Sequence, residues 1–151
     1  MGAGNELDGI RSQMRIEVSE ERAMITLMTH AAWTLVAAFA LSFVYELYRA
    51  TLKAGTSRHD SVHVFVTQRV PLYVLAGVVI TLLFTGTAWA AWIGLSVSIV
   101  LILVSIFYYN PRMMLERKPG LIDWFEDLVY TGLLFVAAAL LLYAVLGKSL
   151  S

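Results

Sequence analysis

The chain has 151 residues, of which 59% are hydrophobic, and its mean hydropathy of +0.73 lies well above that of soluble proteins. Eleven acidic and eleven basic residues balance, so no net field attracts nucleic acid, and we expect no nucleic-acid binding. The absence of cysteine excludes disulfides, thiolate metal sites, iron–sulfur clusters and cysteine nucleophiles from this sequence. The composition predicts that lipid is the main solvent of the chain.

Residues 1–22 form a polar N-terminal segment that holds five acids and three arginines, and we expect no cleaved signal peptide there. Ile10, Met14 and Val18 recur at a spacing of four, which is typical of a weakly amphipathic helix. The segment is either an extension of the first membrane helix or an interfacial, partner-binding helix, and the pattern favours the extension.

The first apolar stretch runs from Ala23 to Tyr45 and follows Ser19, Glu20 and Glu21, which favour a helix start. A bilayer core about 30 Å thick needs about 20 apolar residues of helix. We therefore predict a first transmembrane helix at about 23–47.

The second apolar stretch, residues 70–110, contains forty-one residues without a charge, which is too long for one crossing. We place a turn within residues 85–94, where Gly86 tolerates turn conformations and Trp89 and Trp92 suit the headgroup level. This predicts helices at about 71–87 and 90–109. Pro71 suits a helix start, and Asn110–Pro111 marks the expected end of the third helix.

A last apolar stretch predicts a fourth helix at about 122–146, closed by Gly147 and Lys148. The predicted fold is thus all-α, an integral membrane four-helix bundle in which residues 23–151 form a single transmembrane domain. In the longest connection, residues 62–66 read VHVFV and predict either a short strand or an interfacial helix.

Basic residues predict the orientation of the bundle in the cell membrane. Seven accompany the two connections at 46–70 and 110–121, whereas four accompany the termini: Arg11, Arg15, Arg22 and Lys148. We therefore expect both connections to be cytoplasmic and both termini to lie on the opposite side.

Charged residues also cluster where the predicted helices begin and end on the cytoplasmic side. Asp123, Glu126 and Asp127 share one face of the first turns of the fourth helix, where the helix dipole favours negative charge. We call the whole set the charged collar: Glu46, Arg69, Arg112, Arg117, Lys118, Asp123, Glu126 and Asp127. We expect the collar to keep this rim hydrated, with pairing across the bundle available, and its alternative role is docking of another subunit.

Histidines supply the candidate metal ligands. His59 and His63 are four residues apart, a helical spacing that can bind a metal, and Asp60 lies beside them, but the surrounding H-E-x-x-H pattern is missing. His30 favours a hydrogen-bonded packing or interfacial role, since residues 64–151 offer no second histidine for haem. No cofactor is predicted.

The interior of the predicted helices holds hydroxyl side chains but no Asp, Glu, Lys or Arg, which disfavours an ion pump or proton relay. Small residues that permit close helix packing occur in the first and fourth helices. The leading prediction is a non-enzymatic accessory or scaffold subunit that associates with other membrane subunits or with further copies of itself. The alternatives are a homo-oligomeric pore or small transporter with a Ser/Thr-lined path, and a metal-binding membrane enzyme or redox subunit.

Overall fold

The computed structural model describes residues 3–114, 116 and 119–149, and every regular element among them is helical. Two π-helical segments interrupt the α-helices. The elements are α1 (Ala3–Thr51), α2 (Val62–Val64), π1 (Phe65–Arg69), α3 (Val70–Phe84), α4 (Ala88–Val104), π2 (Ser105–Met114) and α5 (Leu121–Ser149). Four stretches are long and apolar enough to cross a membrane: Asp8–Thr51, Val62–Phe84, Trp89–Arg112 and Leu121–Gly147. The prediction of an all-α fold with four long apolar helices is confirmed.

Helix α1 differs most from its predicted bounds, because it begins at Ala3 and runs without a break to Thr51. The polar N-terminal segment is therefore a direct extension of the first apolar helix. Residues 62–66, for which a strand was one alternative, are helical, and the Ser61 side chain accepts a hydrogen bond from the backbone N–H of Val64 at the start of α2.

Both π-helical segments lie beside or around a proline. Pro71 is the second residue after π1, within the first turn of α3, and Pro111 lies inside π2. Proline has no backbone N–H, so the usual hydrogen bond to the carbonyl four residues earlier is missing, and a widened turn accommodates the loss. The prediction that the third helix ends at Asn110–Pro111 is wrong, because the helical path continues to Met114.

The turn between α3 and α4 contains the glycine that the sequence predicts. Gly86 has φ +71°, in the left-handed region that favours glycine, and Thr87 is extended before α4 begins at Ala88. The reversal takes only three residues. The forty-one uncharged residues therefore form two antiparallel helices.

Part of the small side chains of α1 and α5 lies inside the bundle, where α1 packs most extensively against α5, whereas Ala37, Ala40, Gly132 and Ala139 are exposed. Ala31, Ala32 and Ala38 of α1 are buried, as are Ala137 and Ala144 of α5. Gly94 permits the closest approach of α4, since a Cβ there would lie 3.0 Å from Leu83 and 3.1 Å from Leu141.

The bundle has two chemically different ends. At one end, which we call the arm end, the α3–α4 turn and the last turns of α5 flank α1 at Glu17–Glu21. Helix α1 continues beyond them towards its N-terminus. At the polar end, the 52–61 connection reaches the 115–120 connection through an ion pair between Arg58 and Glu116, 2.7 Å apart.

Candidate functional site

The polar end contains a buried ion pair between Arg49 of α1 and Asp60 of the 52–61 connection. Arg49 Nη2 lies 2.7 Å from Asp60 Oδ2, and Nε lies 3.1 Å from Oδ1, so the guanidinium binds both carboxylate oxygens. Asp60 is fully buried, and it also accepts a hydrogen bond of 2.9 Å from the Thr56 hydroxyl. The backbone N–H of Gly55 donates to the Asp60 carbonyl. The connection is thus folded around Arg49.

Asp123 joins the start of α5 to the same arginine. Arg49 Nη1 lies 3.4 Å from Asp123 Oδ1, and the Tyr45 hydroxyl donates a hydrogen bond to that oxygen. The other carboxylate oxygen accepts a hydrogen bond of 2.7 Å from the backbone N–H of Gly120. Asp123 therefore connects α5 to α1 and satisfies a backbone donor next to the start of α5.

A second ion pair lies deeper, where α1 meets both π-helical segments. Arg69 Nη2 lies 3.3 Å from Glu46 Oε1, and the Tyr109 hydroxyl donates to the same carboxylate across 3.4 Å. The Arg69 guanidinium also lies 5.4 Å from the centre of the Tyr109 ring. The two π-helical segments thus bring the side chains of Arg69 and Tyr109 onto one carboxylate of α1.

These groups border a cavity of about 70 Å³, which we call the polar chamber. It is lined by Ser42, Glu46, Arg69, Leu72, Tyr73, Leu101, Val104, Ser105, Tyr109, Glu126, Asp127 and Tyr130. The chamber has room for a few water molecules, since one water needs about 10–15 Å³ of such space.

Side chains of π2 and α5, which together form one wall of the polar chamber, are joined by hydrogen bonds. The Ser105 hydroxyl lies 3.0 Å from the Thr131 hydroxyl and 3.5 Å from an Asp127 carboxylate oxygen. The Asn110 side chain also hydrogen-bonds to Asp127. In chemical terms the chamber offers carboxylates, hydroxyls and one guanidinium to a small polar guest.

The charged collar divides into an inward and an outward part. Asp123, Glu126 and Asp127 face inward, and so do Glu46 and Arg69, whose predicted pairing across the bundle is present. This differs from the hydrated rim that the sequence predicts for these five residues. Arg112 is exposed, with its guanidinium 5.7 Å from the centre of the Tyr108 ring. Arg117 and Lys118 lie outside the described residues.

The two predicted metal ligands, His59 and His63, have different surroundings. His59 Nε2 lies 3.2 Å from Glu116 Oε2, and His63 is exposed on α2. Asp60, which would have completed the site, binds Arg49 instead. Within residues 3–114, 116 and 119–149, no group of three His, Asp or Glu side chains forms a metal-binding cluster. His30 Nδ1 lies 2.7 Å from the Thr26 carbonyl one turn earlier in α1.

Sequence reasoning missed Arg49 and Asp60 as a buried pair. The sequence does contain a signal for the burial of Arg49. The face of α1 that packs into the bundle follows a repeating spacing of four and three residues, and Arg49 lies on it. We call this face the α1 seam; its members are Met28, Ala32, Leu35, Phe39, Ser42, Glu46 and Arg49. The spacing places Glu46 and Arg49 inside the bundle. Nothing in the sequence indicates that Asp60 folds back onto them.

Comparison with known proteins adds no relative: no family model, curated protein or solved structure matches the chain.

Proposed function

We propose that this chain is a non-enzymatic, multi-pass protein of the cell membrane that acts as an accessory or scaffold subunit of a larger membrane complex. In this proposal the four long helices cross the bilayer, with the 46–70 and 110–121 connections cytoplasmic and both termini on the other side. Large exposed apolar side chains on the outer faces of the helices, such as Val78, Phe107 and Leu128, support contact with lipid.

The observation that carries the subunit role is the N-terminal arm, which we define as residues 8–22 of α1. Every residue of the arm is exposed. Fifteen residues of helix extend about 22 Å at about 1.5 Å per residue. The arm is part of the continuous helix α1, and a partner that covers its exposed apolar stripe would remove that surface from water. A projecting arm is therefore suited to docking.

Two residues of the apolar stripe of the arm, Met14 and Val18, lie on the continuation of the α1 seam. Counting back from Met28 in steps of three and four gives Ile25, Glu21, Val18 and Met14. Other elements of the bundle cover the seam from Met28 onwards, whereas the described residues leave Met14 and Val18 exposed. A partner helix on this stripe would prolong the packing that already holds the bundle together.

Glu21 favours a different protein over a second copy as the partner. Two copies in one membrane have the same orientation, so their arms would pair in parallel with equivalent residues facing each other. The two Glu21 carboxylates would then repel across the seam. A helix with an apolar face and a basic residue opposite Glu21 fits better.

The test uses two arm positions of almost equal exposure on opposite faces: Met14 is 60% exposed and Ile16 is 58% exposed. A photo-crosslinking amino acid at Met14, in native membranes, should capture one discrete membrane protein, and the same group at Ile16 should not. Met14→Asp should abolish co-purification of that protein, while Ile16→Asp should preserve it. Equal capture from both faces, or a lone chain after gentle solubilisation, would contradict the proposal.

A small transporter or homo-oligomeric pore is the second candidate, and the polar chamber is the observation that favours it. Ser105 and Asp127 line the chamber, as a hydroxyl-containing path with a charged vestibule requires. Flux through reconstituted liposomes that Asp127→Asn abolishes would support this candidate. Equal leak rates for the native chain, the variant and empty liposomes would eliminate it. We do not pursue the metal-binding enzyme, because Asp60 binds Arg49 and not the histidines.

A further inference from the structure

A second concave site lies at the arm end, between α1, the α3–α4 turn and the end of α5; we call it the acidic groove. Its volume is about 710 Å³, within the range of about 300–1,000 Å³ typical of small-molecule sites. Its lining consists of Glu17, Glu20, Glu21, Ala23, Met24, Leu27, Gly86, Thr87, Tyr143, Ala144 and Gly147. Three secondary-structure elements contribute to it, so it is a formed concavity and not a single helix surface.

The lining separates apolar and charged chemistry. Ala23, Met24, Leu27 and Ala144 make an apolar floor, whereas the three glutamates lie together one turn earlier on α1. The described side chains that line the groove include no basic residue. An occupant that matches both parts has an apolar body and a positive charge.

The helix ends at the groove do not alter this charge preference. The helix dipole places about half a negative charge at the end of α5, and about half a positive charge at the start of α4 beside Thr87. These two contributions offset each other. Among the described side chains that line the groove, the three carboxylates carry the charge, and they favour a cation.

We propose that the acidic groove binds an organic cation with a bulky apolar body, such as a lipophilic phosphonium or ammonium ion. The apolar part packs on Met24 and Leu27, and the charge lies among Glu17, Glu20 and Glu21. The groove is concave and of ligand size, which favours a small molecule over a partner helix. The site belongs to a single chain, so the inference does not depend on the docking role of the arm.

The test measures equilibrium binding of tetraphenylphosphonium to the purified chain in phospholipid nanodiscs, with empty nanodiscs as the blank. Tetraphenylborate has the same shape and the opposite charge, so its binding, measured in a separate sample, is the matched control. We expect saturable binding of one cation per chain and no saturable binding of the borate above the empty-nanodisc blank. The triple variant Glu17→Gln, Glu20→Gln, Glu21→Gln should weaken binding about tenfold at low salt, and the difference should shrink in high salt.

Two further variants separate charge from shape. Ala23→Trp fills the groove without changing its charge and should abolish binding. The double variant Asp8→Asn, Glu116→Gln removes two carboxylates away from the groove and should leave the affinity unchanged. Circular dichroism and the elution volume of each variant verify that it is folded. Binding no stronger than to empty nanodiscs, an unchanged affinity in the triple variant, or equal saturable binding of the borate in its separate sample would overturn the proposal.

Discussion

The buried pair of Arg49 and Asp60 allows the sharpest energetic prediction, because the chain supplies its own matched control. Arg49 and Asp60 approach to 2.7 Å with side chains 6% and 0% exposed. Arg58 and Glu116 approach to the same 2.7 Å with side chains 73% and 43% exposed. The two pairs therefore share the closest N···O distance and differ in burial.

Removing one partner of a buried ion pair costs about 3–5 kcal/mol, because the remaining charge stays desolvated. Asp60→Ala should fall in this range. Arg49 retains Asp123 at 3.4 Å, so a double-mutant cycle with Arg49→Ala should give a smaller coupling, about 2–3 kcal/mol. The same cycle at Arg58 and Glu116 should give about 0.2–1 kcal/mol.

The assay is the free energy of unfolding in mixed micelles, obtained from an SDS titration followed by tryptophan fluorescence. Both cycles should be run at two salt concentrations, because salt screens an exposed pair more than a buried one. Equal coupling energies for the two pairs, or equal loss of coupling in high salt, would refute the assignment of Arg49 and Asp60 to a desolvated site.

One pair of substitutions tests the packing and a single substitution tests the turn, both by the same assay. Gly94→Leu should lower the free energy of unfolding by about 1–3 kcal/mol, because the new side chain would overpack against Leu83 and Leu141. Gly132→Leu, where a Cβ would meet open space, should be neutral or slightly stabilising. Equal effects of the two substitutions would contradict the close approach of α4. Gly86→Ala should cost about 1–2 kcal/mol because φ is +71°, and a stabilising effect there would contradict the left-handed turn.

Much of the fold is predictable, because the number of consecutive uncharged residues limits how many helices a stretch can form. Forty-one residues without charge cannot remain one helix of ordinary length, and Gly86 is the residue in that stretch best suited to a reversal. The helix bounds are less predictable. Pro111 predicts a helix end, because proline cannot donate the backbone hydrogen bond of an α-helix. The widened turn of π2 accommodates the missing bond, and the helical path continues to Met114.

The site is less predictable than the fold, because burial of a charge depends on which distant residue pairs with it. Glu46 and Arg49 follow the spacing of the α1 seam, so their inward direction is present in the sequence pattern. Asp60 comes from a polar connection with no periodicity, and its burial depends on the tertiary pairing with Arg49. The polar chamber likewise needs π1 and π2, whose widened turns bring Arg69 and Tyr109 to Glu46.

The proposed topology has four helices that cross the membrane, with the N-terminal arm and the α3–α4 turn on one side and the 52–61 connection on the other. The chain has no cysteine, so single substitutions give clean labelling positions. Ser12→Cys, Thr87→Cys and Lys53→Cys, each at an exposed residue, should be treated with a membrane-impermeant maleimide in sealed, oriented vesicles. We expect the Ser12 and Thr87 variants to react from the same face and the Lys53 variant to react only from the opposite face. Reaction of all three from one face, or of the Ser12 and Thr87 variants from different faces, would refute this topology.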